Sequence, residues 1–304
     1  ADLVVDASGR SSKAPEWLSA LGGSAPREEL VDAGTGYGSR WYEGPDPART
    51  PADHWWRLIW LDPAPPRQLM GGVLFPVEDG RFIVTLIGYS RHYPPSDEEG
   101  FERALHELRS PVLARTVAAS RPISSVYSYR GLVNRLRRFD ELADPTPGFV
   151  ALGDSVCTFN PMYGQGMTIA TLCVAALEAT LERIPGDDPG FPRAFFKAQA
   201  KNVRDAWALA TAADGLFPGT RSEQPPPSRF ARFFSEAIRM GMNTDREILR
   251  RVTPVYYLLR STSELFDKRF MARLMAVGVR EHALRALRRG AYPEMPPPRP
   301  LEDR

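Results

Sequence analysis

An apolar run, Phe149-Val150-Ala151-Leu152, ends at Gly153-Asp154, and the segment Pro161-Met162-Tyr163-Gly164-Gln165-Gly166-Met167 then opens an alanine-rich stretch of helical character. This strand, turn and helix constrain the fold more than any other feature of the chain. A carboxylate at the carboxyl end of a buried strand stands where open α/β sheets bind their ligands. Glycines at the turn let backbone approach a flat ring closely. The first amides of the helix lack intrahelical acceptors and offer the positive end of its dipole to negative charge. Alone, Asp154 reads as a helix cap or turn aspartate. Followed by Pro161, Gly164, Gln165, Gly166 and Met167, it reads as part of a site for a polyhydroxylated, anion-forming ligand.

The order Gly-Asp … Pro-x-x-Gly-Gln-Gly-Met resembles the second flavin-binding motif of FAD-dependent aromatic hydroxylases and squalene epoxidase-like enzymes. A second element, Asp6-Ala7-Ser8-Gly9-Arg10 after Leu3-Val4-Val5, resembles the central Asp-Gly motif of the same flavoproteins. Ser8 stands at the usual aspartate position and Gly9 at the glycine. The Asp-Ala-Ser-Gly form is similar to flavin halogenases and geranylgeranyl reductases as well, which leaves the subclass open. The resemblance spans about residues 1–185, and its specific part is 148–167.

That resemblance implies FAD as cofactor and Ser8, Gly9, Asp154, Pro161, Gly164, Gln165, Gly166 and Met167 as its binding residues. Asp154 would take ribityl or ribose hydroxyls, and the helix start would stabilise charge at the flavin N1/C2 carbonyl. The implied activity is a monooxygenase: NAD(P)H reduces the flavin, O2 forms a C4a-hydroperoxide, and one oxygen enters an apolar aromatic or polyene small molecule. No residue is singled out as catalytic acid or base. The rival readings are a reductase of prenyl double bonds, a halogenase, and a non-catalytic binding protein on the same frame.

The implied fold is α/β: a partial Rossmann-like FAD-binding domain (1–25 and 130–185), an inserted antiparallel β-sheet substrate domain (26–129), and a helical C-terminal extension (186–304). Local patterns agree with such a division. Strand character marks 38–42, 54–61, 71–77 and 81–89, with Glu78-Asp79-Gly80 a hairpin turn. Consecutive strands without helices between them predict an antiparallel sheet. A helix is predicted over 96–119 behind the Ser96-Asp97 cap, strand over 123–130, and helix from Gly166 to Arg183, stopping at Pro185-Gly186. Helices follow over 191–213, 229–240, 244–262 and 263–289, and the proline-rich 292–300 reads as extended.

A pyrophosphate loop of the Gly-x-Gly-x-x-Gly kind belongs to this resemblance, and the chain lacks one. Gly34-Thr35-Gly36-Tyr37-Gly38-Ser39 has serine at the third glycine and is followed by strand residues, not a helix. The loop is expected upstream of Ala1, because Leu3-Val4-Val5 begins directly in strand. Trp41, Tyr42, Trp55, Trp56, Trp60 and Phe75 are candidates both for sheet core and for an apolar pocket over the flavin. The Trp55-Trp56-x-x-x-Trp60 cluster has a faint likeness to the halogenase tryptophan motif, but its spacing differs. Arg130, Arg135, Arg137 and Arg138 read as a solvated charged face, with an anion contact as the alternative. Cys157 reads as a small buried thiol.

With 304 residues, 43% hydrophobic, 25% charged and a net charge of +2, the composition is that of a folded chain with no nucleic-acid signature. Cys157 and Cys173 form neither a disulfide framework nor a metal-ligand pattern, and the four histidines have no metal spacing. No apolar run has the length of a spanning helix and no leader is visible, so a cytoplasmic location is expected. The arginine-rich C-terminal helices predict packing on the flavin domain or a homodimer contact, with a peripheral membrane contact as the alternative.

Overall fold

The computed structural model describes residues 1–44 and 58–287; Trp55 and Trp56, and the proline-rich tail, lie outside them. The chain opens with β1 (Val4–Asp6) and the short helix α1 (Ala14–Ala20), followed by the long strand β2 (Glu28–Glu43). Strands β3 (Ile59–Leu61), β4 (Met70–Pro76) and β5 (Arg81–Gly88) come next. Then come α2 (Glu98–His106), α3 (Val112–Ala118), β6 (Arg121–Pro122) and β7 (Tyr127–Arg137). The motif region comprises β8 (Phe149–Ala151), β9 (Cys157–Thr158) and α4 (Gly166–Leu181). The chain continues through α5 (Phe191–Asp214), β10 (Arg221–Ser222), α6 (Arg229–Thr244), α7 (Arg246–Tyr256) and α8 (Lys268–Leu287).

Strands β1 and β8 pair in parallel, Val4 opposite Phe149 and Asp6 opposite Ala151. The larger sheet is antiparallel in the order β3-β4-β5-β2-β7-β9, with β6 and β10 also on β2. Asp79 and Gly80 both hold positive φ, 60° and 68°, as a two-residue hairpin turn requires. The Gly34–Gly38 run is strand, not nucleotide loop. Gly34 takes φ +61° at the irregularity in the β2–β7 register, and a Cβ on Gly36 would stand 2.5 Å from the Tyr93 ring.

One sheet face is sealed by α2 and α3, with Tyr42, Phe82, Leu86, Phe101, Leu105 and Leu113 in the core between them. The single helix predicted over 96–119 is two. Asp97 caps α2 by accepting from the Gly100 amide at 2.7 Å, and Pro111, which has no amide to continue a ladder, caps α3. The strand predicted over 123–130 starts later and runs to Arg137. Its end pairs with β9, Arg135 opposite Thr158, and so joins the sheet to the motif region.

Helix α5 packs beside α4 in the core of β1 and β8, where Phe191, Phe195, Phe196 and Trp207 join Val150, Ile169 and Cys173. A separate helical core starts with α6 and is built on Ala237, Ile248, Val252, Phe270 and Leu274. The helix predicted over 244–262 stops at Tyr256, after which Leu258 turns to φ +59°. Among the described residues, no helix is long and apolar enough to cross a membrane.

Candidate functional site

Parallel pairing of β1 with β8 brings the two sequence motifs together at the carboxyl ends of both strands. After β1 the chain turns on Asp6, which accepts from the Ser8 amide at 2.9 Å and from the Ser8 and Ser12 hydroxyls. Burial acts to raise the Asp6 carboxyl, but the hydrogen bonds from Ser12 and Ser8 hold it below its ordinary value. Ser8 therefore builds the turn through its own amide and hydroxyl. Gly9, at φ +81°, donates its amide to Ser155 Oγ at 2.9 Å. After β8, Gly153 takes φ +63° and a short 3-10 turn, Gly153–Ser155, carries Asp154.

Arg137 locks the two turns in place, and the sequence reading of it as a solvated face is corrected here. Its side chain is 5% exposed; it pairs with Glu28 at 2.7 Å and donates to the Ser155 carbonyl at 3.1 Å and the Ser12 carbonyl at 3.2 Å. Arg135 is partly buried and donates to the Arg10 carbonyl, and burial lowers its guanidinium below the ordinary value. Arg10 donates to the Gly131 carbonyl at 3.0 Å and faces the same space as Asp154. Burial pushes the Asp154 carboxyl up, against the pull of Arg10 and Arg135.

From β9 the chain enters the turn Asn160–Gly164. Asn160 is fully buried: its amide donates to Asn134 Oδ1 at 2.6 Å, and its Oδ1 accepts from Tyr37 Oη at 2.6 Å and the Met162 amide at 3.2 Å. Gly164 reaches φ +63°, and α4 starts at Gly166 with no side chain capping its first turn. A Cβ on Gly164 would meet nothing within 4 Å, and one on Gly166 only Asp154 Oδ1 at 3.9 Å. Gln165 is buried; its Nε2 donates to the Tyr256 carbonyl at 3.2 Å, while its Oε1 has no hydrogen-bond partner. Met167 is 85% exposed on the outer side of α4.

A cavity of about 630 Å³ separates these turns from the open face of the sheet. Arg10, Asp154, Pro161 and Gly164 line one side, and Tyr37, Trp60, Phe75, Ile87, Tyr129 and Leu132 line the other. Its size is within the range of small-molecule and cofactor sites, roughly 300–1,000 Å³. Of the predicted aromatics, Trp60 and Phe75 reach it. Tyr42 does not: it is on the opposite face, stacked on Phe82 with its hydroxyl donating to Glu102 at 2.7 Å. Cys157 is buried beneath the turn, where desolvation pushes its thiol well up.

Of the predicted residues, Asp154, Pro161, Gly164 and Gly166 surround the cavity end of α4, and Gly9 is tied to the same cluster through Ser155. Sequence reading missed Ser155, Arg137, Asn134, Asn160 and Asp214, whose roles depend on partners distant in the chain. Only Asn160 carried a local sign, an asparagine directly before proline. The donor set suits a flavin: an exposed carboxylate for hydroxyls, glycine backbone open to a flat ring, an uncapped helix start, and a buried acceptor still unpaired. Among the described residues, no group of three or more His, Cys, Asp or Glu side chains could hold a metal ion.

Known proteins bear on this geometry in three ways. No family profile matches the chain. A curated relative, Protein Rv3254 of Mycobacterium tuberculosis, is 29% identical over 247 residues, which is 78% of this chain and 50% of the relative. Among solved structures, the flavin-dependent brominase Bmp2 matches with a TM-score of 0.58 at 12% identity, covering 95% of this chain and 63% of that one. A flavoprotein/dehydrogenase from Cytophaga hutchinsonii matches with a TM-score of 0.56 at 14% identity, covering 92% and 62%. The chain thus spans about half the length of the curated relative and under two thirds of these structures. At such identities the likeness is one of fold: the chain has the mixed α/β fold found in flavin-dependent enzymes, as its two motifs imply.

Proposed function

We propose that this chain carries the cofactor motifs and substrate cavity of an FAD-dependent monooxygenase acting on an apolar aromatic or polyene small molecule. One observation carries the reading: two flavin-type motifs, distant in sequence, converge on one side of a cavity whose other side is an aromatic and aliphatic sheet face. A bound flavin supplies the redox chemistry, taking two electrons from a reductant, here expected to be NAD(P)H, and delivering one oxygen atom of O2 to the substrate and the other to water.

The chain's own residues do the rest. Asp154 would accept hydrogen bonds from the hydroxyls of the cofactor's sugar-alcohol chain, and the first amides of α4 would stabilise its anionic edge. Gly164 and Gly166 leave room for a ring against the backbone. Trp60, Phe75, Ile87 and Leu132 bind the substrate by burial and exclude water from the reacting atoms. Val4, Val5, Leu172 and Val174 are apolar side chains left partly to half exposed on β1 and α4.

The test is the visible spectrum of the protein, expressed with its flanking coding sequence and saturated with FAD. Bands at about 375 and 450 nm are expected of a bound oxidised flavin, and their absence ends the reading. Oxygen uptake coupled to hydroxylated or epoxidised product then supports the monooxygenase. Halide incorporation, or a product two hydrogens heavier formed without O2, replaces it with a halogenase or a prenyl reductase.

A further inference from the structure

Helix α5 ends at Asp214, a carboxylate buried to 1% exposure, with no cation among its hydrogen-bond partners in the described residues. Such a group is costly unless its oxygens are well bonded. Both are bonded, and both bonds lead to the turn that opens onto the cavity. Oδ1 accepts from the Tyr163 hydroxyl, and Tyr163 lies inside the turn. Oδ2 accepts from Asn134 Nδ2 at 2.6 Å, and Asn134 Oδ1 in turn receives the Asn160 amide at 2.6 Å. Asn160 is the cap of the turn and holds the cavity-lining Tyr37 through its own Oδ1. The charged and titratable groups around Asp214 are otherwise Tyr89, Tyr37 and Asp32, none of them a cation. The Asp214 carbonyl receives Thr220 Oγ1 at 2.7 Å, which fixes the start of the segment leading to β10 and α6.

We propose that Asp214 is a positioning residue of the site: through Tyr163 and Asn134 it sets the Asn160–Gly164 turn, and so makes the cavity wall and the start of α4 depend on the end of α5. Neither strands β1 and β8 nor Arg137 does this: Arg137 bonds to Glu28, Ser12, Ser155 and Val156, β1 pairs with β8, and none of these contacts falls within Asn160–Gly164. The side chain accepts from both partners at once, whereas an amide at this position has one acceptor oxygen and can keep only one of the two bonds as it stands. The geometry stands on contacts alone, and its consequence for cofactor binding rests on the flavin reading above.

The experiment is amide hydrogen exchange on the whole chain, comparing wild type with Asp214→Asn and Tyr163→Phe, alongside FAD titration of each. Exchange at the Asn160, Met162 and Gly164 amides is expected to quicken at least tenfold in both variants, with the Val4 and Leu152 amides of the β1–β8 pair unchanged. Flavin affinity, read from the spectrum, should fall by a similar factor at nearly constant melting temperature. Unchanged exchange in the turn overturns the proposal. Faster exchange spread evenly over α5 and β7 overturns it too, since that marks a merely structural residue. Should Asp214→Asn fail to fold, Tyr163→Phe keeps the test, because it removes one bond and leaves the carboxylate in place. A wild type that binds no flavin defeats the functional reading alone; the exchange pattern still decides the role of Asp214.

Discussion

The Gly9 amide donates to Ser155 Oγ at 2.9 Å, joining the two motif turns directly although they are 146 positions apart in the chain. Each turn has its own local support, Asp6 for the first and the Gly153–Ser155 coil for the second, so this bond sets their relative placement more than their existence. Ser155→Ala leaves the partly buried Gly9 amide without its acceptor. A loss of about 1–2 kcal/mol is expected in urea unfolding, with flavin binding weakened in parallel. Wild-type stability in this variant would mean that the pairing of β1 with β8 places the turns unaided.

Gly164 separates backbone cost from occlusion. At φ +63° any side chain is strained by about 1–2 kcal/mol, yet a Cβ there meets nothing within 4 Å. Gly164→Ala should therefore cost only that backbone term in stability. Its methyl would project into space beside the cavity, so the flavin reading expects a drop in affinity larger than the stability loss accounts for. Parallel thermal melts with and without FAD measure both. Equal ligand-induced shifts in melting temperature for wild type and variant would remove Gly164 from the binding surface.

The motifs were legible because their information is local: a strand, a carboxylate, glycines at turn positions and a helix start follow one another in the sequence. The hairpin at Asp79-Gly80 and the rejection of Gly34–Ser39 as a nucleotide loop were legible for the same reason. What holds the site together was not. Arg137 read as solvated because β7 was expected to end near residue 130; seven more residues of strand carry its guanidinium under both turns. The long apolar face of α5 gave no indication of which core it would join, so a segment of the β1–β8 core was assigned to the extension. Asp214 falls just past the predicted helix end at 213 and directly before Gly215, with no local sign of a role. Its meaning lies in Tyr163 and Asn134, which the chain brings together only on folding.

Arg137 supplies the largest expected single loss. Its truncation in Arg137→Met abandons the Ser12 and Ser155 carbonyls and the Glu28 carboxylate. Glu28 is partly exposed and recovers water, so the expected cost is about 3 kcal/mol, at the lower end for a broken buried ion pair. Arg137→Lys keeps the charge but not the three-way fork and should lose about half as much. Urea denaturation of both variants checks the order, and a lysine variant as weak as methionine would show that geometry alone matters.

Two buried carboxyls give stability opposite dependence on pH. Asp6 is held below its ordinary value by serine hydroxyls, so its contribution is present above the unfolded carboxyl pKa, about 3.9, and is lost as pH falls through the folded value. Asp214 is pushed up to about 6 by burial. Between that value and the unfolded one, the native state holds a proton that the unfolded chain does not. Its charged form is therefore a cost at neutral pH, and stability from this group rises as pH falls from above 6 toward 4, by on the order of 3 kcal/mol. Unfolding free energy measured by urea from pH 8 to pH 3 should climb to a maximum near pH 5 and then fall as Asp6 and the surface carboxylates take up protons. Asp214→Asn should abolish the climb between pH 7 and 5 while leaving the acid limb, and Asp6→Asn should keep the climb and make the acid limb shallower. A wild-type profile flat between pH 7 and 5 would mean that the carboxylate of Asp214 is satisfied without penalty by Tyr163 and Asn134.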